Sequence, residues 1–576
     1  MRWKVLSIAT LVILASGVVL GRLVYLQVFQ HELWSSRAEA IQTQVIRVPA
    51  NRGRLFDRNG ILLADNLRTI DIAVDPSYLT EPELLKPILS QELGLDAAYL
   101  NAQLSREGRF AWIRRQVPLA MADRIRRRAE ISGIRGLIFL DSTKRIYPQG
   151  QLAANVIGFA GVDNQGLEGI EFGLDELLDG EDRVARLVSY TSEIAEVIET
   201  GRPGHDVYLT LDSQIQHIAE SEVDRGVNEF LARHGFAVVM NVNTGEILAM
   251  AQDARPDPND FQSTSPDQWR NRAISYMFEP GSSLKIFAGL AALENGAIEL
   301  DEQVSGDEPV VIAGHAFHNA ENINYGMVTL RDIIQLSINT GMIRVAQQLG
   351  PEPLYAFLKQ LRFGERTGLN GLSGEAAGML RPVENWSELA IGAVPIGQSI
   401  AVTGLQLITR AAAIAKDGLL LKPQLVLRVE DREGNLVQRA RPEVLERVIS
   451  EENARIMKQI MRQAVMDGTG RWAEVEGFEV AGKTGTAQKA SPEGGYAEGK
   501  FTSLFVGFFP ASHPQLAILV VLDEVQVKPF WGGQTAGVIF QRMARRIVER
   551  KRIPPVVVAD VEPVQPEPLL FAPLLP

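Results

Sequence analysis

Ser282 and Lys285 stand three residues apart in Ser282-Ser283-Leu284-Lys285, directly after the break Glu279-Pro280-Gly281. In a helix, positions i and i+3 share a face, so the lysine amine can reach the serine hydroxyl. A hydroxyl is a poor nucleophile until a base removes its proton. A lysine can act as that base only if burial or a second cation lowers its pKa. Two more groups could complete the chemistry. Ser337-Ile338-Asn339 offers a hydroxyl to relay a proton and an amide to hydrogen-bond a substrate amide. Lys483-Thr484-Gly485-Thr486 offers the second cation. Lys483, Thr484 and Thr486 could bind a carboxylate, and Gly485 removes a side chain so that a substrate could lie along a strand edge. The set points to covalent acyl transfer through Ser282, with amides at a helix start helping to form an oxyanion hole.

One Ser-x-x-Lys arises by chance about once in a chain of this composition, so its weight rests on local context. The residues after Ser282 read as a helix from Ser283 to Glu294, which puts the serine at its N-terminus. Ser337 and Asn339 fall within a helical pattern from Leu330 to Gln348, and Lys483 follows a strand signal at Phe478-Glu479-Val480. Ala237 to Asn241 and Glu246 to Ala251 are apolar runs joined by Asn243-Thr244-Gly245, a β-hairpin pattern. Strand signals return at Thr502 to Phe508 and Leu516 to Leu522, Thr403 to Lys416 reads as a helix, and Thr535 to Arg550 closes as an amphipathic one. Two strands early and three late imply one antiparallel sheet flanked by helices and interrupted by a helical insertion, an α+β fold.

The chain upstream divides into further parts. Val5 to Gly21 is uncharged and apolar, and Leu23 to Leu26 extends it past Arg22, long enough to span a bilayer. Arg2 and Lys4 precede it, which keeps the short tail cytoplasmic and sends the remainder outward. A cleaved signal peptide would use the small residues near Ala15-Ser16-Gly17, yet the apolar run continues beyond them, so an uncleaved anchor is expected. Asn59-Gly60 between apolar runs signals a hairpin turn, and the stretch to about residue 200 alternates strand-like and charge-rich helical pieces. Gly201-Arg202-Pro203-Gly204 reads as a linker. The expected division is therefore a cytoplasmic tail (1–4), a transmembrane anchor (5–27), an α+β pedestal (45–205), the catalytic domain (206–551) and a disordered tail (552–576). Seven prolines and several acids from Ile553 to Pro576 leave that tail unable to bury a core.

Other function classes are poorly supported. A net charge of −12 would repel phosphates, which sets nucleic acid aside as a partner. The absence of cysteine removes disulfides, thiolate catalysis and cysteine-bound zinc. His315, His318 and Glu321 suggest zinc only faintly, since no third ligand follows at recognisable spacing, and His217 reads as structural. The acids of Gly166-Leu167-Glu168-Gly169-Ile170-Glu171 read as surface carboxylates rather than a metal site. No glycine-rich phosphate loop precedes a helix, so neither cofactor nor metal is expected.

The order Ser282…Lys285, Ser337…Asn339, Lys483…Gly485 resembles that of β-lactamases and penicillin-binding proteins. From about Trp3 to Arg550 the chain is similar to class B penicillin-binding proteins. Arg52-Gly53, Asp57-Arg58-Asn59-Gly60, Leu63-Ala64 and Gly166 to Glu171 match that family's pedestal, while Asn271-Arg272-Ala273 and Phe278 to Ser282 resemble its septal branch. The resemblance implies a DD-transpeptidase that attacks the D-Ala-D-Ala end of a peptidoglycan stem peptide, releases D-alanine and passes the acyl group to a neighbouring stem's amine. It also implies acylation of Ser282 by β-lactams, a pedestal that contacts divisome proteins, and an anchor that pairs with a polytopic glycan polymerase. The catalytic domain would lie on the periplasmic side of the inner membrane. Ile286, where proline is common, and Ala536-Gly537, where Ala-Pro is usual, depart from the branch pattern. No glycosyltransferase signature is recognisable. A β-lactam hydrolase, a non-catalytic sensor or scaffold, and an elongation-type enzyme are the competing readings.

Overall fold

The computed structural model describes residues 2–35, 43–188, 193–490, 495–553 and 555; the expected tail, 552–576, lies almost wholly outside them. The N-terminal helix runs from Arg2 to Val24 and continues as a π-turn to Phe29. At a mean hydropathy of 2.1 and with no residue buried against the rest of the chain, it is long and apolar enough to cross a membrane.

The sequence motifs at residues 52–64 build a junction. Gly53 is required because a Cβ there would stand 1.8 Å from the carbonyl oxygen of His205. Asp57 Oδ1 accepts from the amides of Asn59 and Ile61, both at 2.8 Å, and Gly60 takes φ +83°, which closes the turn between strands Leu55–Phe56 and Leu62–Val74. Strand Leu55–Phe56 then pairs in parallel with Asp206–Leu209, which pairs with Val426–Glu430. One sheet thus runs across the expected boundary at 205/206.

Beside it Arg52 and Glu171 are fully buried. Arg52 Nε donates to Glu171 Oε2 at 2.6 Å, Arg145 Nε donates to Glu171 Oε1 at 2.7 Å, and Arg52 also reaches Asp175 at 2.7 Å. Glu171 is therefore not the surface carboxylate that its loop-like sequence suggested. Two guanidiniums from distant segments offset the cost of burying it.

The catalytic half is built on a five-stranded antiparallel sheet. In chain order its elements are helix α1 (Ser213–Glu229), strands β1 (His234–Asn241) and β2 (Ile247–Gln252), helices α2 (Lys285–Glu294), α3 (Leu330–Gln335), α4 (Asn339–Leu349), α5 (Gly404–Ala415) and α6 (Glu451–Met466), strands β3 (Ala481–Ala490), β4 (Tyr496–Phe509) and β5 (Leu516–Asp523), and helix α7 (Ala536–Lys551). The strand order is β2-β1-β5-β4-β3, so two early strands and three late ones meet and β3 is an edge.

Period-two alternation divides β5 between two cores. Ile518, Val520 and Leu522 pack with Ile539 and Phe540 of α7 and Ile215 of α1, whereas Ala517, Leu519 and Val521 pack with Leu405 and Ile408 of α5. Helix α7 forms because Ile539, Phe540, Met543, Ala544 and Ile547 recur at helical spacing and bury one stripe. The Asp212 side chain caps α1 by accepting from the amides of Gln214 and Ile215.

Two expectations shift. The strand that follows Val480 begins at Ala481, so Lys483 to Thr486 lie on the strand itself. The predicted helix Leu330–Gln348 is two helices, α3 and α4, broken at Ser337, whose φ is +63°. A serine in the left-handed region cannot continue a helix.

Replacing Arg52 with methionine should strand the buried Glu171 carboxylate and lower unfolding free energy by about 3–5 kcal/mol, read from urea unfolding. An unchanged midpoint would show that the junction does not depend on this pair.

Candidate active site

Ser282 lies in a single 3-10 turn, Gly281–Leu284, that runs straight into α2. Its amide is thus among the first N–H groups of a helical segment, which have no intrahelical acceptor. The turn is tightly seated. Gly281 has φ +53°, and a Cβ there would meet the Thr486 carbonyl oxygen at 2.8 Å. Its amide donates to the Gly397 carbonyl at 3.1 Å. A Cβ on Gly397 would in turn come within 2.0 Å of the Gly281 carbonyl oxygen. The Ser282 turn is therefore wedged between β3 and the 397–399 loop.

Three separated segments converge here on one cavity of about 480 Å³, lined in part by Ser282, Ser337, Asn339, Thr484 and Thr486. Beneath this floor Lys285 and Lys483 are fully buried. Lys285 Nζ donates to the Ser337 carbonyl at 2.5 Å and to Asn339 Oδ1 at 2.7 Å, and it lies 3.2 Å from Ser337 Oγ. Lys483 Nζ reaches the same Ser337 Oγ at 3.1 Å and Thr484 Oγ1 at 3.2 Å. One hydroxyl thus stands between two lysine amines. The left-handed backbone at Ser337 is what turns both its carbonyl and its hydroxyl toward them.

Burial, and then the nearby Lys483, push the Lys285 pKa well below that of an ordinary lysine. Burial alone pulls Lys483 down to about 7. A neutral Lys285 keeps two N–H bonds, which match its two shortest acceptors, and one lone pair free to take a proton.

The remaining sequence candidates are placed differently from one another. Thr484 Oγ1 lies 3.1 Å from Thr469 Oγ1, and Thr486 Oγ1 accepts from the Gly532 amide at 3.0 Å, and both residues line the cavity. Asn339, read above as a ligand for a substrate amide, spends its Oδ1 on Lys285 and donates Nδ2 to the His318 carbonyl at 2.8 Å. Its first task is to hold Lys285. Gly485 does not border the cavity. A Cβ there would strike the Pro280 carbonyl oxygen and Leu504 Cγ, each at 2.7 Å, so the glycine admits the backbone just ahead of Ser282. His318 lies 3.6 Å from Glu308, away from any partnership with Glu321.

Sequence reasoning missed Thr469, Trp472 and Trp531, which also border the cavity. Their neighbours Gly468, Gly470, Gly532 and Gly533 carried the signal, as loop punctuation close to the Lys483 strand.

Comparison with known proteins agrees with this geometry. Residues 235–545 match the penicillin binding protein transpeptidase domain, and residues 47–209 match the penicillin-binding protein dimerisation domain. The chain is 34% identical to a probable peptidoglycan D,D-transpeptidase, PbpC, of Pseudomonas aeruginosa, covering 96% of each chain. It is 29% identical to the peptidoglycan D,D-transpeptidase FtsI of Escherichia coli, over 96% of this chain and 92% of that one. Penicillin-binding protein 3 of Mycobacterium tuberculosis, solved in complex with aztreonam, superposes with a TM-score of 0.70 at 29% identity, over 89% of this chain and 98% of that one. The chain belongs to the penicillin-binding protein family, in its class B arrangement of a transpeptidase domain carried on a dimerisation-type domain.

Lys483→Met should move the acid limb of the Ser282 acylation rate upward by about one pH unit. Removing the like charge raises the Lys285 pKa, so a higher pH is needed to free the base. A limb that stays in place, measured by stopped-flow labelling across pH 5–9, would show that the two amines do not interact.

Proposed function

We propose that this chain is a peptidoglycan D,D-transpeptidase of septal cell-wall synthesis, acting through an acyl-serine on Ser282, and a target of β-lactams. The observation that carries this reading is the convergence of Ser282 and Ser337 on one cavity at the sheet edge, with two buried lysines meeting at Ser337 beneath it.

The stem peptide lies along β3, its terminal carboxylate met by the hydroxyls of Thr484 and Thr486, with the Lys483 amine behind Thr484. Neutral Lys285 takes the Ser282 proton as Oγ attacks the penultimate D-alanine carbonyl. Amides at the start of the helical turn receive the developing oxyanion. Collapse breaks the peptide bond, and a proton passed through Ser337 leaves with the amine of D-alanine. An amine of a second stem then attacks the ester, returns its proton along the same path, and frees Ser282.

The reading extends to the cell. Arg2 and Lys4 ahead of the apolar helix favour a cytoplasmic N-terminus, which places the catalytic half in the periplasm. The helix then pairs with a polytopic glycan polymerase, and the dimerisation-type domain contacts other division proteins.

Ser282→Ala should reduce labelling of membranes by a fluorescent penicillin by at least ~10³-fold, with no change in the amount of protein present. Undiminished labelling would refute the nucleophile assignment. Rapid steady-state hydrolysis of the penicillin by the native protein would favour a hydrolase instead. Depletion should give filaments; round cells would assign the enzyme to elongation.

A further inference from the structure

Tyr276 precedes Ser282 by six residues, and Lys489 follows Lys483 by six. Both side chains end on the same carboxylate. Tyr276 Oη donates to Asp523 Oδ1 at 2.9 Å, and Lys489 Nζ donates to Asp523 Oδ2 at 2.7 Å. Thr502 Oγ1 adds a third bond to Oδ1 at 3.2 Å, and the Lys489 ammonium lies 5.7 Å from the centre of the Tyr276 ring. Asp523 is the last residue of β5 and is only 5% exposed. The lysine reaches it across β4 from the edge strand.

This carboxylate therefore joins the two lines of chain whose spacing defines the site. One line runs from Tyr276 through Phe278, which exchanges backbone hydrogen bonds with Val402, and through Glu279, whose Oε1 accepts from the Ser399 amide at 2.9 Å, to the Ser282 turn. The other runs down β3 from Lys489 to Lys483. Where the lines meet, a gap too small for a Cβ separates Gly281 from Thr486. Burial, and then the Asp523 charge, hold the Tyr276 phenol up to about 12, so it stays protonated and able to donate. Burial works to lower the Lys489 ammonium, but its hydrogen bonds to Asp523 and Glu524 together outweigh that and hold it above its usual range.

We propose that Asp523 and Tyr276 are positioning residues for the acyl-transfer reaction: their hydrogen bond, with Lys489 as the third arm, sets the distance between the Ser282 turn and the Lys483 strand. None of the three lines the cavity, so the effect falls on the chemical step rather than on the first binding of the acyl donor. A displacement of the turn of about 1 Å is enough to cost up to ~10²-fold in rate. The inference rests on the acyl-serine chemistry of Ser282 proposed above.

The full-length protein in detergent, mixed with a fluorescent penicillin over a range of concentrations, gives a binding constant and a limiting acylation rate separately. Tyr276→Phe removes one hydroxyl and keeps the ring. It should slow the limiting rate about tenfold, with binding within twofold and an unchanged melting temperature. Asp523→Asn should slow it further, and the double variant should be no slower than Asp523→Asn, since both remove one shared bond. Asp523→Glu, which keeps the charge, should recover part of the rate. Tyr276→Phe acylating at the native rate would overturn the proposal, as would an Asp523→Asn defect that vanishes when rates are corrected for the fraction of folded protein. Ser282→Ala is run alongside. If it is still labelled, the fault lies in the nucleophile assignment; if it is unlabelled while Tyr276→Phe is fully active, the positioning role alone is wrong.

Discussion

Two lysine amines share one dry space around the Ser337 hydroxyl, and they cannot both remain charged there. Neither has a carboxylate among its hydrogen-bond partners; what they have are carbonyl, amide and hydroxyl oxygens. Burying an ammonium without a counter-ion costs more than those dipoles return, so the chain gives up a proton instead. That choice is what the proposed chemistry needs, since a lysine serves as a base for Ser282 only when it is neutral. The rest of the catalytic half can be understood as the means of keeping that space closed below and open above.

The closure comes from helices and the opening from an edge. Helix α2 is buried from Lys285 to Ala292, so Lys285 projects from a fixed element rather than a loop. The break at Ser337 delivers a carbonyl and a hydroxyl to the same point, which a continuous helix could not do. Among the described residues strand β3 has a strand neighbour on only one side, the kind of edge with which an extended peptide can pair. Glycines at 281, 397 and 485 let three backbones approach within distances that a Cβ would forbid. The same economy recurs at the pedestal junction, where Gly53 admits His205 beside the buried Arg52–Glu171 pair.

Local pattern made much of this readable in advance. The Asn59-Gly60 turn, the hairpin of β1 and β2, helix α7 and the two-early, three-late composition of the sheet all follow from turn residues and apolar periodicity. The nearness of Lys483 to Lys285 could also be anticipated, because a lysine base needs its pKa lowered. What could not be read depended on partners far away in the chain. Glu171 looks like a surface acid until Arg52 and Arg145 fold over it. Ser337 sits in an unbroken helical pattern, and its break appears only with the two lysines that meet it from other segments. Gly485 appeared to serve substrate, whereas its space belongs to Pro280 and Leu504. Asn339 appeared free for a ligand until Lys285 arrived from another segment.

The proposed chemistry depends on the protonation of the two lysines. Its most direct test is a carbon-13 NMR titration of lysine-labelled full-length protein, with Lys285→Arg and Lys483→Arg used to assign the signals. Two lysines should titrate well apart from the rest, Lys483 at about 7 and Lys285 also well below an ordinary lysine. Both signals titrating with the bulk near ~10.4 would contradict it, because Lys285 could not then serve as a base at neutral pH.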